Sequence, residues 1–413
     1  MSHRAPALRR PRSRAGVLVT LIAAGLVAAC NPADFPQSAL LPRGDFAAML
    51  DELFMTTVWW ALLVFVLVES ALIFAILKFR GSPEDADPEQ VHGNTLLEIV
   101  WTAIPALILA FIAVPTVRTI FRTYDIPSGD PLTIEVIGHQ WWWEFRYPEY
   151  GITTANELHV PVGRTVSLKM SSVDVLHSWW IPQLAAKRDV FPNRPTNMWF
   201  TAQEPGFYPG QCGEFCGIQH GKMAFHVVAS EPAEFEAYIE HLRTVSARVA
   251  PAPAAPPADT AGAAADTAGA APTTTTTAGA MTPLQDSAGG QARMDRGRGA
   301  AEAPSAAGEP QPGQQASYDP ALVAQGKALF GACAGCHSLD AVNPMKGLIG
   351  PNLANVGARR YIAAGTLRNT DANLAKWIMD PQEMKEGVGM LDLGLQEPQA
   401  AALVAYLRSL SVQ

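Results

Sequence analysis

Cysteine is scarce in this chain, with Cys30, Cys212, Cys216, Cys333 and Cys336 the only five among 413 residues. That excludes a disulfide-stapled framework, which crowds many cysteines into a short chain. A positive excess is also missing, since 30 Lys and Arg stand against 38 Asp and Glu for a net charge of −8. Nothing in that balance points to nucleic acid. The acidity is local: from Tyr124 to Glu240 fourteen Asp/Glu face seven Lys/Arg, whereas after Tyr318 there are eight of each. An acidic middle region suits a basic protein partner. The length itself exceeds one ordinary domain.

The N-terminus lacks an apolar run long enough to cross a bilayer comfortably. Arg4, Arg9, Arg10, Arg12 and Arg14 precede a short apolar stretch from Ala15 to Ala29, which is the pattern of an export signal over residues 1–29. The string LVAAC resembles a bacterial lipoprotein cleavage box, implying that Cys30 carries lipid; an incidental cysteine after a plain signal is the alternative. After an exported segment (30–52), two long runs, Leu53 to Leu77 and Leu96 to Val117, predict a transmembrane helical hairpin within 53–120. Glu69 and Glu98 are their acidic interruptions. The short loop begins with Lys78 and Arg80 but turns acidic (EDADPE), so charge orients it weakly. Export of the N-terminus instead puts both ends outside and the loop inside.

Residues 121–245 read as an all-β sandwich or barrel, with strands expected at LTIEVIGH, WWEFRY, TVSLKM, NMWFT and AFHVVAS and a closing helix from Pro232 to Val245. Residues 246–316 are dominated by Ala, Pro, Thr and Gly with almost no aromatics, a composition expected of a flexible, disordered tether. Residues 317–413 return to helical periodicity in a stretch short enough that a bound cofactor would supply much of its core.

Chemistry concentrates at two places. YPGQCGEFCGIQHGKMAFHVV holds Cys212, Cys216, His220 and Met223 within twelve residues. Thiolate, imidazole and thioether form a soft set that favours copper, and two thiolates can bridge two metal ions. His177, in DVLHSWWIP, is the candidate second imidazole. A plain disulfide between Cys212 and Cys216 is the competing reading. The second place is Cys333-Ala-Gly-Cys336-His337, the attachment pattern of c-type haem, in which two thiols bind the vinyl groups and His337 is placed at the iron. A zinc site would need a second ligand pair, which is missing, and a thioredoxin-like pair would need a βαβ context.

HSWWIP followed by C-G-E-F-C-G-x-x-H-G-x-M resembles the CuA domain of cytochrome c oxidase subunit II, and the likeness runs from Leu53 to about Val245. With the haem motif, the chain is similar to the caa-type variant carrying a fused C-terminal cytochrome c. The resemblance implies a multidomain fold: a two-helix transmembrane hairpin, an all-β cupredoxin-like Greek-key domain and an all-α class I cytochrome c domain. It implies that Cys212 and Cys216 bridge a dinuclear copper, that His177 and His220 are terminal ligands, and that Met223 is a weak axial ligand. Glu214 would bind through its carbonyl, its carboxylate pointing to a magnesium site at the interface with subunit I. GHQWWWEFRY matches the aromatic patch, with Trp141 where electrons enter and Trp142 and Trp143 either patch or core. Glu98 matches the acid at the entrance of a proton channel into subunit I.

GPNL at Gly350 to Leu353 is similar to class I cytochromes c, in which the residue matching Pro351 packs beside the proximal histidine. The family's distal methionine precedes a proline, but Met390 is followed by Leu391. Met390 is the expected distal ligand and Met384 the alternative; a Met ligand raises the potential. The implied function is electron relay from cytochrome c, fused or soluble, through CuA to haem a in subunit I, where oxygen is reduced to water with proton pumping. Subunits I and III, a cytochrome c donor and membrane lipid are the implied partners. The expected location is the bacterial inner membrane, with both cofactor domains on the outer, periplasmic face. A nitric oxide reductase subunit and a free-standing membrane-anchored electron carrier are the alternatives.

Overall fold

The two apolar runs form helices α1 (Asp45–Lys78, 34 residues) and α2 (Thr95–Tyr124, 30 residues) in a computed structural model describing residues 25, 35–81, 90, 92–249, 318–344 and 349–411. The export-signal reading, Cys30 and nearly all of the tether lie outside the described residues. Both helices are long and apolar enough to cross a membrane and present large apolar side chains outward along their length. They exceed the expected runs at their outer ends because those ends join the β domain. Phe46, near the start of α1, is buried edge-on against Trp199 with centroids 5.4 Å apart. Trp199 Nε1 donates to Thr123 O at 3.1 Å near the end of α2. The start of α1 and the end of α2 therefore meet the β domain on the same side, as a hairpin with its short loop at the opposite end requires.

That domain is a sandwich of two five-stranded sheets. One orders β3 (Ile152–Ala155), β2 (Trp142–Tyr147), β1 (Leu132–His139), β5 (Val166–Ser172) and β8 (Thr196–Phe200). The other orders β4 (Glu157–Pro161), β10 (Ala224–Ser230), β9 (Gly206–Cys212), β6 (His177–Trp180) and β7 (Lys187–Val190). Parallel pairing of β1 with β5 and of β4 with β10 shows that crossovers link the sheets. This is the cupredoxin-like architecture. Alternating β-branched and aromatic residues made five strands legible, whereas β3, β4, β6, β7 and β9 are short or interrupted by Gly and Pro. Trp143, Trp179 and Phe225 fill the core, with Trp179 stacked on Phe225 at 3.6 Å. Trp143 is thus a core residue. Helix α3 (Pro232–Val249) closes the sandwich by burying Phe235, Ile239, Leu242 and Val245, spaced at three or four residues.

The C-terminal domain crosses α4 (Pro320–Leu329) against α7 (Glu397–Ser409). They meet at Gly326, where a Cβ would lie 1.9 Å from Ala402 O, so only glycine permits this approach. Helices α5 (Asp371–Met379) and α6 (Pro381–Met384) complete the helical frame. A short hairpin, β11 (Tyr361–Ile362) with β12 (Leu367–Arg368), is added to it.

The C-terminal domain packs on the sandwich over a wide front. Thr153 N–H donates to Ala341 O at 2.8 Å, and Ala341 N–H donates to Ser246 Oγ at 2.8 Å. Arg360 N–H donates to the buried Glu157 carboxylate at 2.8 Å, and Ala224 N–H to Ala364 O at 2.9 Å. Phe207 and Tyr361 stack against the ring of His226 at 4.3 and 4.6 Å. The C-terminal domain is thus seated on β3, β4, β9, β10 and α3, a placement that the sequence leaves open.

Candidate functional site

At one end of the sandwich the turn after β9 folds back so that Cys212, Cys216, His177 and Met223 converge. Cys212 ends β9, His177 begins β6, and Cys212 N–H donates to Met223 O at 2.8 Å, pinning both ends of the turn. The two sulfurs lie 3.8 Å apart and both cysteines are free, so the disulfide reading does not hold. Cys212 Sγ lies 3.8 Å from His177 Nδ1; Cys216 Sγ lies 3.7 Å from His220 Nδ1 and 3.7 Å from Met223 Sδ. Glu214 directs its carbonyl oxygen to within 3.3 Å of Cys212 Sγ. The structure thus gathers all six copper candidates, and the ligand atoms of His177, Cys212 and Cys216 lie within 4.8 Å of one another. The contact between the two sulfurs lowers the pKa of the Cys212 thiol and raises that of Cys216, so the pair gives up one proton readily and holds the other. A thiol pair with one ready thiolate, two imidazoles and a thioether fits a soft metal.

Sequence reasoning missed the residues that orient this set. Asp174 Oδ1 lies 2.8 Å from His177 Nε2, leaving Nδ1 facing the sulfurs, which is the usual carboxylate support of a metal-binding imidazole. The Asp174 carboxylate also accepts from Gln140 N–H at 2.7 Å and Val175 N–H at 2.6 Å. A carboxylate three residues before the histidine in DVLH was the available signal. Gln140 Nε2 and Trp141 Nε1 both donate to Cys216 O, at 2.8 and 2.9 Å. Trp141 is therefore attached directly to the cysteine turn. Gly217 (φ +114°) passes so close beneath Trp141 that a Cβ would lie 2.9 Å from its ring.

In the C-terminal domain Cys333 and Cys336 are free and partly exposed on the turn after α4. His337 Nδ1 lies 2.8 Å from Pro351 O, which leaves Nε2 as the nitrogen for a metal. Burial lowers the His337 pKa and keeps the ring neutral, the form a metal binds. Gly350 makes room, since a Cβ there would fall 2.5 Å from the imidazole. Two free thiols beside an oriented, neutral imidazole fit a covalently held haem. Met390 sits in the irregular stretch before α7, where its carbonyl accepts from Gln382 Nε2 at 2.9 Å.

The two candidate centres are stitched together. Lys222 Nζ, between His220 and Met223, donates to Met384 O at 2.9 Å, and Lys385 Nζ donates back to Lys222 O at 2.8 Å. Gln219 donates to Glu386 O. Glu98 stands apart from both: it lies exposed in the first turn of α2, whose Asn94 cap accepts from Leu97 N–H at 3.2 Å.

Three family models match this chain: "Cytochrome C oxidase subunit II, transmembrane domain" over residues 43–119, "Cytochrome C oxidase subunit II, periplasmic domain" over 151–230, and "Cytochrome c" over 323–411. A protein of Alkalihalophilus pseudofirmus named cytochrome c oxidase subunit 2 is 33% identical over 91% of this chain and 91% of its own length. A protein of the same name from Bacillus sp. strain PS3 is 29% identical over 81% of this chain and 80% of its own. Among solved structures, the periplasmic domain of cytochrome oxidase subunit II of Bradyrhizobium japonicum is 30% identical, covering 29% of this chain and 98% of that one at a TM-score of 0.28. The chain belongs to the cytochrome c oxidase subunit II family, in the form that carries a cytochrome c domain at its C-terminus.

Proposed function

We propose that this chain takes electrons from a cytochrome c donor onto its own haem c and hands them through a dinuclear copper centre to haem a of subunit I. The observation that carries the reading is the convergence of His177, Cys212, Cys216, His220 and Met223 beside a second domain with a free Cys-x-x-Cys-His motif. When bound, copper and haem supply reversible one-electron chemistry at the two sites.

The chain's residues hold and orient those groups. Cys212 and Cys216 would supply the thiolates and His177 and His220 the imidazoles that hold copper, with Met223 and the Glu214 carbonyl as the weaker donors. Asp174 locks the His177 ring, so little rearrangement accompanies a change of charge at the site. Cys333 and Cys336 would anchor haem, and His337, its ring set by Pro351 O, and Met390 would be the ligands to its iron. The Lys222–Met384 and Lys385–Lys222 bonds fix the two cofactor-bearing segments side by side. Trp141, bonded to Cys216 O, is where electrons reach the copper centre.

The finer assignments follow the family pattern. The cofactor domains face the periplasm of a bacterial inner membrane, Cys30 carries lipid, and subunit III accompanies subunit I. The Glu214 carboxylate takes part in a magnesium site at the subunit I interface, and Glu98 feeds protons into subunit I. The test is an optical and EPR spectrum of the purified complex together with oxygen uptake. A c-haem band, a mixed-valence copper signal and uptake driven by reduced cytochrome c are expected. Reduction of nitric oxide without oxygen uptake would overturn the assignment of the acceptor.

A further inference from the structure

The stretch from Lys385 to Gln396 contains no helix or strand, carries positive φ at Gly387 (+78°) and Gly394 (+64°), and has no proline to stiffen it. A methionine in such a stretch has little local reason to hold one position. One side chain binds the stretch at three points. Gln382, on α6, donates from Nε2 to Val388 O at 2.7 Å and to Met390 O at 2.9 Å, and its Oε1 accepts from Gly387 N–H at 2.9 Å. Both amide hydrogens and one lone pair of the amide oxygen are used, so the carboxamide's donors are fully taken up by this loop.

Gln382 itself stands on a rigid base. Helix α6 begins at Pro381, and the Asp380 cap accepts from Glu383 N–H at 2.8 Å. Lys385 N–H closes the turn on Pro381 O at 2.9 Å. The bonds to Gly387, Val388 and Met390 thus transfer the order of α6 to a loop with no regular structure of its own.

We propose that Gln382 is the positioning residue for the distal methionine, holding Met390 at the haem iron where this sequence has no proline to do so. The proposal rests on the reading of Met390 as the distal ligand. Its consequence is that the methionine–iron bond depends on a side chain that acts through the loop backbone.

The test uses the full chain with haem covalently attached, comparing Gln382→Met and Gln382→Glu with the unaltered protein. Gln382→Met keeps length and volume but removes all three bonds. Gln382→Glu keeps the acceptor for Gly387 N–H and sets a carboxylate against the Val388 and Met390 carbonyls. Covalent haem content, which depends on Cys333 and Cys336, reports whether each variant has folded; if Gln382→Met loses haem, Gln382→Glu decides.

Expected in both is loss of the far-red methionine-to-iron charge-transfer band of the oxidised haem and a lower midpoint potential. Carbon monoxide should bind the reduced haem about tenfold more tightly, the effect of weakening the competing methionine by about 1.4 kcal/mol. An unchanged band, potential and carbon monoxide affinity in both variants would overturn the proposal. Met390→Ala and Met384→Ala test the premise separately. Loss of the band only in Met390→Ala supports it, and loss only in Met384→Ala overturns the ligand assignment whatever the Gln382 variants show.

Discussion

Asp174 and His177 form a carboxylate–imidazole pair at 2.8 Å, with the ring fully buried and its other nitrogen turned to the Cys212 sulfur. The pair fixes which nitrogen faces the metal before any metal arrives. Asp174→Ala should therefore lower copper affinity by about 10- to 100-fold, the usual cost of losing such a support. Copper retention during dialysis against a graded chelator measures it. Retention equal to that of the unaltered protein would show that the ring is held by packing alone.

Trp141 touches the cysteine turn through Nε1, which donates to Cys216 O. Trp141→Phe removes the hydrogen bond and leaves all six copper-binding groups in place. The copper absorption spectrum should persist while electron delivery to the copper centre, followed by stopped-flow absorbance, slows by about tenfold, equivalent to about 1.4 kcal/mol in the barrier. An unchanged rate would move the point of electron transfer elsewhere on the turn.

The seating of the haem domain depends on pH through His226. Burial beside Phe207 and Tyr361 pulls its pKa down to about 4, so the folded protein holds it neutral. The unfolded chain protonates it near 6.5. Its neutral form thus costs nothing above that pH, and stability is lost as the pH falls from about 6.5 towards 4, by on the order of 3 kcal/mol. Glu157 adds a further loss at lower pH: burial raises its pKa, but His159 and Arg359 outweigh that and hold the carboxyl low, so its contribution is lost only as the pH falls below the ordinary carboxyl range. Thermal unfolding across this pH range should show the decline, and His226→Phe, which keeps the stacking, should flatten it.

Gly326 sets the closest helix crossing in the C-terminal domain. Gly326→Ala would drive a methyl group into Ala402 O and the Tyr406 side chain, at 1.9 and 2.8 Å. Separating α4 from α7 should destabilise the domain by roughly 1–3 kcal/mol, the range for overpacking a tight contact. A fall in the melting temperature of the haem absorbance, with the copper spectrum unaffected, is the expected result.

How much of this was readable beforehand follows from the kind of signal each residue leaves. Cys212, Cys216, His220 and Met223 are close in sequence and chemically distinctive, and Cys333, Cys336 and His337 fall within one five-residue motif. Both helices of the hairpin announced themselves by apolar length. Asp174 and Gln140 left almost no trace, because their roles depend on β1, β6 and the cysteine turn meeting in space. Strand β9 was obscured by Gly206, Pro209 and Gly210, whose backbone pairs with β10 despite weak strand propensity. The seating of the haem domain was illegible for a related reason. It is made largely by backbone groups, such as Thr153 N–H on Ala341 O and Ala224 N–H on Ala364 O, which any sequence would supply.

The proposed function requires that one chain present a copper-binding turn and a haem-binding motif as neighbouring electron carriers. EPR of the purified full-length chain, fully loaded and poised at one electron per copper pair, tests it most directly. A mixed-valence signal with the electron shared over two coppers is expected, alongside a low-spin c-type haem with histidine and methionine ligands. A signal from one isolated copper ion, or no copper signal in a metal-replete protein, would contradict it.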